Sequence, residues 1–182
     1  RTAELHHTLA TVPGHPELDP EAYTSYDSRS LYQSMRGLTA RTLRTLRHVA
    51  SILKPDAQQQ ANAIVNQQQE IYDRFRPLLT IALPGSRIRG HGDFHLGQVL
   101  LAGDDVVFVD FEGEPDRFPE ERRLKMSPLR DVAGMLHSIQ LAALHAADRL
   151  QSAAGRSAEG AERLMALLDT WHRHGSTAFL AG

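Results

Sequence analysis

The change in apolar spacing near Pro84-Gly85 constrains this chain most. Before it, Leu31, Met35, Leu38, Thr42, Leu46, Val49 and Leu53 recur at steps of three and four, which is one face of a long helix. Lys54-Pro55 breaks that run, and Ala57, Ala61, Ile64, Gln68, Ile71, Phe75 and Leu78 repeat it. The glutamine clusters at 58–60 and 67–69 fall among these apolar positions and read as helix surface, not low-complexity sequence. Two such runs with a short break predict an antiparallel helical hairpin. After Pro84-Gly85 the period shortens. "RIRG", "QVLLAG" and "VVFVDF" are rich in β-branched or aromatic residues, and Gly103-Asp104-Asp105 predicts a hairpin turn between the last two.

Helical spacing returns after Ser127-Pro128, which read as cap and first-turn residue. Val132, Leu136, Ile139, Ala143 and Leu150 form the predicted apolar face, and Gly155 follows it. A last helix is expected from about Ala158 through Leu164, Leu168 and Trp171. Residues 11 to 27 carry three prolines and read as a loop, with Asp27 or Ser28 as the next helix cap. "RTAELHHTLA" is helical without a clear N-cap, which suggests a fragment of a longer protein. The expected fold class is α+β, mostly α: a single domain over residues 1–182, with a small β-hairpin carrying the unusual polar residues.

Composition narrows the function classes. A chain of 182 residues can bury a sizeable core. The net charge of −2 gives no reason to expect nucleic acid or an acidic membrane as partner. No apolar run approaches the roughly 18 residues of a membrane span. No signal peptide pattern opens the chain, and the expected location is cytoplasmic. There is no cysteine, so disulfides and thiolate metal sites are excluded. Of the 20 basic residues only Lys54 and Lys125 are lysine, which confines lysine chemistry to two positions.

The chemistry concentrates in "GHGDFHLGQ" and "VDFEGEP". Phosphoryl transfer needs a carboxylate to orient the attacking hydroxyl and oxygen ligands that hold Mg²⁺ against the phosphates. Mg²⁺ prefers hard oxygen donors, so a carboxylate and an amide oxygen suit it. A loop between strands can hold Asp93 at the hydroxyl while Gln98, five residues on, and Asp110 face the metal. Protein kinases use a similar order: H-R-D, an Asn five residues after that Asp, then D-F-G.

On these residues the chain resembles the C-terminal lobe of the aminoglycoside-phosphotransferase-like kinases, and within them the maltokinases, often fused to trehalose synthase. The resemblance rests on His91 through Gln98, on Val109 through Pro115, on Ser127 through Ala133, and on the opening "RTAELH". Gln98 where the broader superfamily has Asn, and Glu112 where kinases have Gly, favour the maltokinase branch. The resemblance implies ATP and Mg²⁺ as cofactors and maltose as substrate, phosphorylated to maltose 1-phosphate for trehalose and α-glucan metabolism. It implies Asp93 as catalytic base, and Gln98 and Asp110 as metal ligands. His95, Glu112 and Arg130 are candidate substrate contacts, while His91 and Asp131 support the loop.

Other residues read more plainly. Glu114, Glu120 and Glu121, and Arg122, Arg123 and Lys125, read as solvated charges. His6, His7, His172 and His174 read as surface. The nucleotide machinery is missing: there is no G-x-G-x-x-G, no G-x-x-x-x-G-K-[ST], and neither lysine lies on a V-A-I-K-type strand. The implied partners are therefore an N-terminal lobe, absent from this chain, or a fused trehalose synthase domain. The lobe alone is expected to be inactive. Two alternatives remain. His91, Asp93 and His95 on one strand face would suit a metal-dependent hydrolase. A non-catalytic kinase-like module of a fused trehalose synthase would keep the lobe for assembly.

Overall fold

In the computed structural model, which describes residues 1–154 and 158–182, helical and strand segments fall largely where the spacing predicts. The helices are α1 (Thr2–Ala10), α2 (Ser25–Ala50), α3 (Pro55–Asn66), α4 (Gln68–Phe75), α5 (Pro119–Arg122), α6 (Leu129–Ala154) and α7 (Ala158–Ala181). Strands β1 (Val99–Ala102) and β2 (Asp105–Phe108) pair antiparallel, Val99 opposite Phe108 and Ala102 opposite Asp105. Gly103, with φ of 64°, opens the two-residue turn between them. The fold is α+β and mostly α. No helix among the described residues is long and apolar enough to cross a membrane. Gly155, the expected stop after α6, lies outside the described residues.

The chain gathers into two compact units, residues 22–86 and residues 1–21 with 87–182. In the first, α2 packs against α3, α4 and a 3-10 turn at Arg76–Leu79. Its N-cap is Thr24, not Asp27 or Ser28. The Thr24 hydroxyl accepts from the Asp27 amide, and the Asp27 carboxylate accepts from the Thr24 amide at 2.8 Å. The buried stripe of α2 is Ser28, Tyr32, Leu43 and Ala50, and Leu31 and Leu38 are exposed. Ser28 and Tyr32 were invisible to a count of aliphatic residues, which turned the predicted face. The second predicted helix breaks at Gln67, where ψ of 8° interrupts the ladder between α3 and α4.

The second unit is organised around Phe94, Met135 and Ile139, with Leu5, Val99, Phe108 and Phe179 packed against them. Phe94 is a loop residue at the centre of this core. Its ring meets Phe108 edge-on at 5.1 Å, so the loop is tied to the hairpin. Helix α6 buries Asp131, Met135, Ile139, Ala143 and Ala147, one residue per turn. That stripe differs from the predicted one because its first member is a charged residue. Helices α6 and α7 approach closely at Gly175, where a Cβ would lie 3.3 Å from Ile139.

Candidate active site

Burial of Phe94 explains why Asp93 can face outward. A fully packed aromatic fixes the loop, and the neighbouring carboxylate keeps a side chain 32 % exposed. On the other side, His91 is wholly buried between the rings of Phe94 and Phe111. Its Nε2 donates to the Val109 carbonyl at 2.8 Å, and its Nδ1 accepts from the Asp93 amide at 3.4 Å. His91 thus links the Asp93 loop to the start of the acidic loop.

Asp131 does the same from below. It is 2 % exposed, and its two oxygens accept from the His91 amide at 2.8 Å and the Gly92 amide at 3.0 Å. A third donor, His6 Nε2, lies 3.0 Å from the first of those oxygens. Burial pushes the Asp131 carboxyl up, but the hydrogen bonds from His6, Gly92 and His91 outweigh it and hold the group below the usual aspartate range. Gly90 is needed here, since a Cβ would come within 2.9 Å of the Asp131 carboxylate. At Gly134 a Cβ would lie 2.7 Å from the Phe94 carbonyl, so α6 can seat against the loop only with glycine there.

Gln98 and Asp110 come together. The Gln98 amide nitrogen donates to Asp110 Oδ2 at 3.2 Å, and the Val109 amide donates to the Gln98 carbonyl at 3.0 Å. Asp110 is exposed and has φ of 64°, the one non-glycine left-handed residue among those described. Aspartate tolerates that conformation better than most residues, and it turns the side chain away from the run of β2. His95 lies between the two halves of the site. Its Nδ1 accepts from the Gly97 amide at 3.0 Å, while its Nε2 is 3.4 Å from the Gln98 amide and 3.8 Å from Asp93.

A carboxylate and a primary amide are hard donors that fit Mg²⁺, which takes one or two protein ligands and fills the rest of its shell with water and phosphate oxygens. Asp110 and Gln98 would hold it, with the Gln98 amide turned to present oxygen. His91, Asp93 and His95 do not share the strand face that the hydrolase reading assumes. Residues 91–95 form a bent loop, both His91 ring nitrogens are engaged within the protein, and no cluster of three or more His, Asp or Glu suited to a metal occurs among the described residues.

Glu112 and Arg130 remain to be placed. Glu112 is exposed. Arg130 donates to Glu114 at 2.5 Å, and Arg117 donates to the same carboxylate at 2.6 Å. Burial raises the Glu114 carboxyl, but the two arginines prevail and hold it below its ordinary value. Glu114 is therefore paired, not simply solvated. Arg122 donates to the carbonyls of Arg117 and Pro115 and so ties the acidic loop together, and Lys125 pairs with Glu21 at 2.8 Å. Arg89 reaches the Arg122 carbonyl. His6 is the neighbour of Asp131 that sequence reasoning missed. Only its place in "RTAELHH", on the α1 face that also carries the core residue Leu5, hinted at burial.

The profile of the phosphotransferase enzyme family matches residues 2–167. The chain belongs to this family. A glucosamine kinase of Mycolicibacterium smegmatis is 51% identical over 53 residues, 29% of this chain and 13% of that protein. One from Streptacidiphilus jiangxiensis is 41% identical over 49 residues, 27% of this chain and 11% of that protein. Among solved structures, a glucosamine kinase superposes with a TM-score of 0.66 at 22% identity, over 99% of this chain and 40% of that one. A glucosamine kinase in complex with glucosamine, ADP and inorganic phosphate gives a TM-score of 0.65, also at 22% identity and 40% coverage. The fold is thus that of a kinase-like lobe, and the chain spans about 40% of the length of these kinases.

Proposed function

We propose that this chain is the C-terminal catalytic lobe of an ATP-dependent sugar kinase whose nucleotide-covering lobe lies in another part of a longer parent. The observation that carries this reading is the linked set of Asp93, His95, Gln98 and Asp110, held on one loop pair by His91 and Asp131. In the reaction, Asp93 accepts the proton of a sugar hydroxyl as that oxygen bonds to the γ-phosphorus of ATP and the bond to the ADP oxygen breaks. Mg²⁺, when bound, neutralises charge on the phosphates. Asp110, and Gln98 with its amide turned, would supply oxygen donors toward it, and the buried support of the loop keeps Asp93 where the hydroxyl arrives. Exposure of Asp93 suits a base that must meet substrate.

Two sugars follow from different observations. The match to glucosamine kinases favours an amino sugar. Gln98 and Glu112, through the resemblance to maltokinases, favour maltose. An ADP-release assay of the full-length parent with glucosamine and with maltose decides between them. Turnover of neither would defeat the kinase reading. The metal sites carry their own test. Asp110→Ala is expected to raise the Mg²⁺ requirement more than Gln98→Ala, since only the carboxylate brings charge to a cation that sheds water reluctantly. Mg²⁺ titrations of both variants measure this, and a larger shift for Gln98→Ala reverses the ranking.

A further inference from the structure

We propose that His6, on helix α1, is a positioning residue that sets the Asp93 loop through Asp131. The inference rests on the reading of Asp93 as the base of a sugar kinase. It comes from a shared oxygen. Asp131 Oδ2 accepts from the His91 amide and lies 3.0 Å from His6 Nε2, while Oδ1 accepts from the Gly92 amide. The His6 side chain is 12 % exposed and that of Asp131 is 1 %, so water cannot readily take the place of either partner. An ionised carboxylate only accepts, so His6 Nε2 carries the proton in this contact.

His6 ties the carboxylate to helix α1. The two backbone amides already hold one oxygen each, and the third donor, on Oδ2, shares the oxygen that accepts from the His91 amide and so fixes the loop backbone against that helix. Little slack exists, because Gly90 lies so near the carboxylate that a methyl group there would reach 2.9 Å from Oδ2. The consequence reaches Asp93 in one residue from Gly92. It also reaches the acidic loop, because the same loop backbone carries the His91 ring that donates to Val109, next to Asp110. Helix α1 has separate anchors: Leu5 against the Phe94 core, and Arg1 bonded to Asp105 at 3.0 Å. Loss of the imidazole therefore removes a hydrogen bond without removing the helix.

The test separates the N–H from the bulk of the ring. In the full-length parent, His6→Phe keeps an aromatic of similar volume without the donor. His6→Gln keeps an amide N–H at similar reach. His6→Phe is expected to lower kcat about tenfold with KM unchanged, as for a displaced but still accessible base. It is also expected to speed amide hydrogen exchange across residues 90–98, and His6→Gln restores both. Unchanged kcat and exchange in His6→Phe overturn the proposal. So does an equal loss in both variants, or a loss carried by KM. If the unmodified parent phosphorylates no sugar, the functional reading fails, and the exchange comparison still decides whether His6 holds the loop.

Discussion

Asp93→Asn in the full-length parent lowers turnover by about a hundredfold or more, with thermal unfolding unchanged. The amide has the shape of the carboxylate and cannot accept the hydroxyl proton. Folding is spared because the fixed part of the loop is elsewhere: Phe94 is buried in the core, His91 is bonded to Val109, and Asp131 holds the backbone of residues 91 and 92. Among the described residues, the Asp93 carboxylate makes a 3.8 Å approach to His95. Steady-state kinetics with a melting curve on the same preparation provide the measurement. Near-normal turnover would remove Asp93 from the role of base.

The sequence pointed to Asp93, Gln98 and Asp110 as candidate site residues and to His91 and Asp131 as loop supports, but it hid His6, which joins that support. Asp93, Gln98 and Asp110 stand out because their order and five-residue spacing resemble those of kinase catalytic and metal loops, and Gly103 announces the turn that brings the strands together. Periodic spacing located most helices, but it ranks residues by hydrophobicity, so polar members of a buried stripe shift the predicted face. That happened with Ser28 in α2 and Asp131 in α6. The break at Gln67 carries neither proline nor glycine and has no local signal. His6 was read as surface because its partner lies 125 residues away, a separation that no window of sequence spans. Arg130 and Glu114 likewise became a pair only through a contact across 16 residues.

Asp131→Ala is expected to destabilise the lobe by about 3–5 kcal/mol, the usual cost of removing one partner from a buried charged network. Three donors would lose their acceptor at once: the His91 and Gly92 amides and His6 Nε2. Buried donors left unpaired each forfeit about 1–3 kcal/mol. Asp131→Asn should rescue only part of this, because an amide offers one accepting oxygen and would turn a donor toward another donor. The acid limb of stability carries the same signature. The folded carboxyl titrates below its ordinary value, so folding is favoured while Asp131 is ionised. That contribution is fully present above the unfolded aspartate range near about pH 4. It fades as pH falls through the lower folded value, because the unfolded chain takes up the proton first. Urea unfolding of the parent and of Asp131→Asn between neutral pH and pH 3 should therefore show the two curves converging toward acid. A stability difference that stays constant across that range would mean that Asp131 is held by packing, not by its charge.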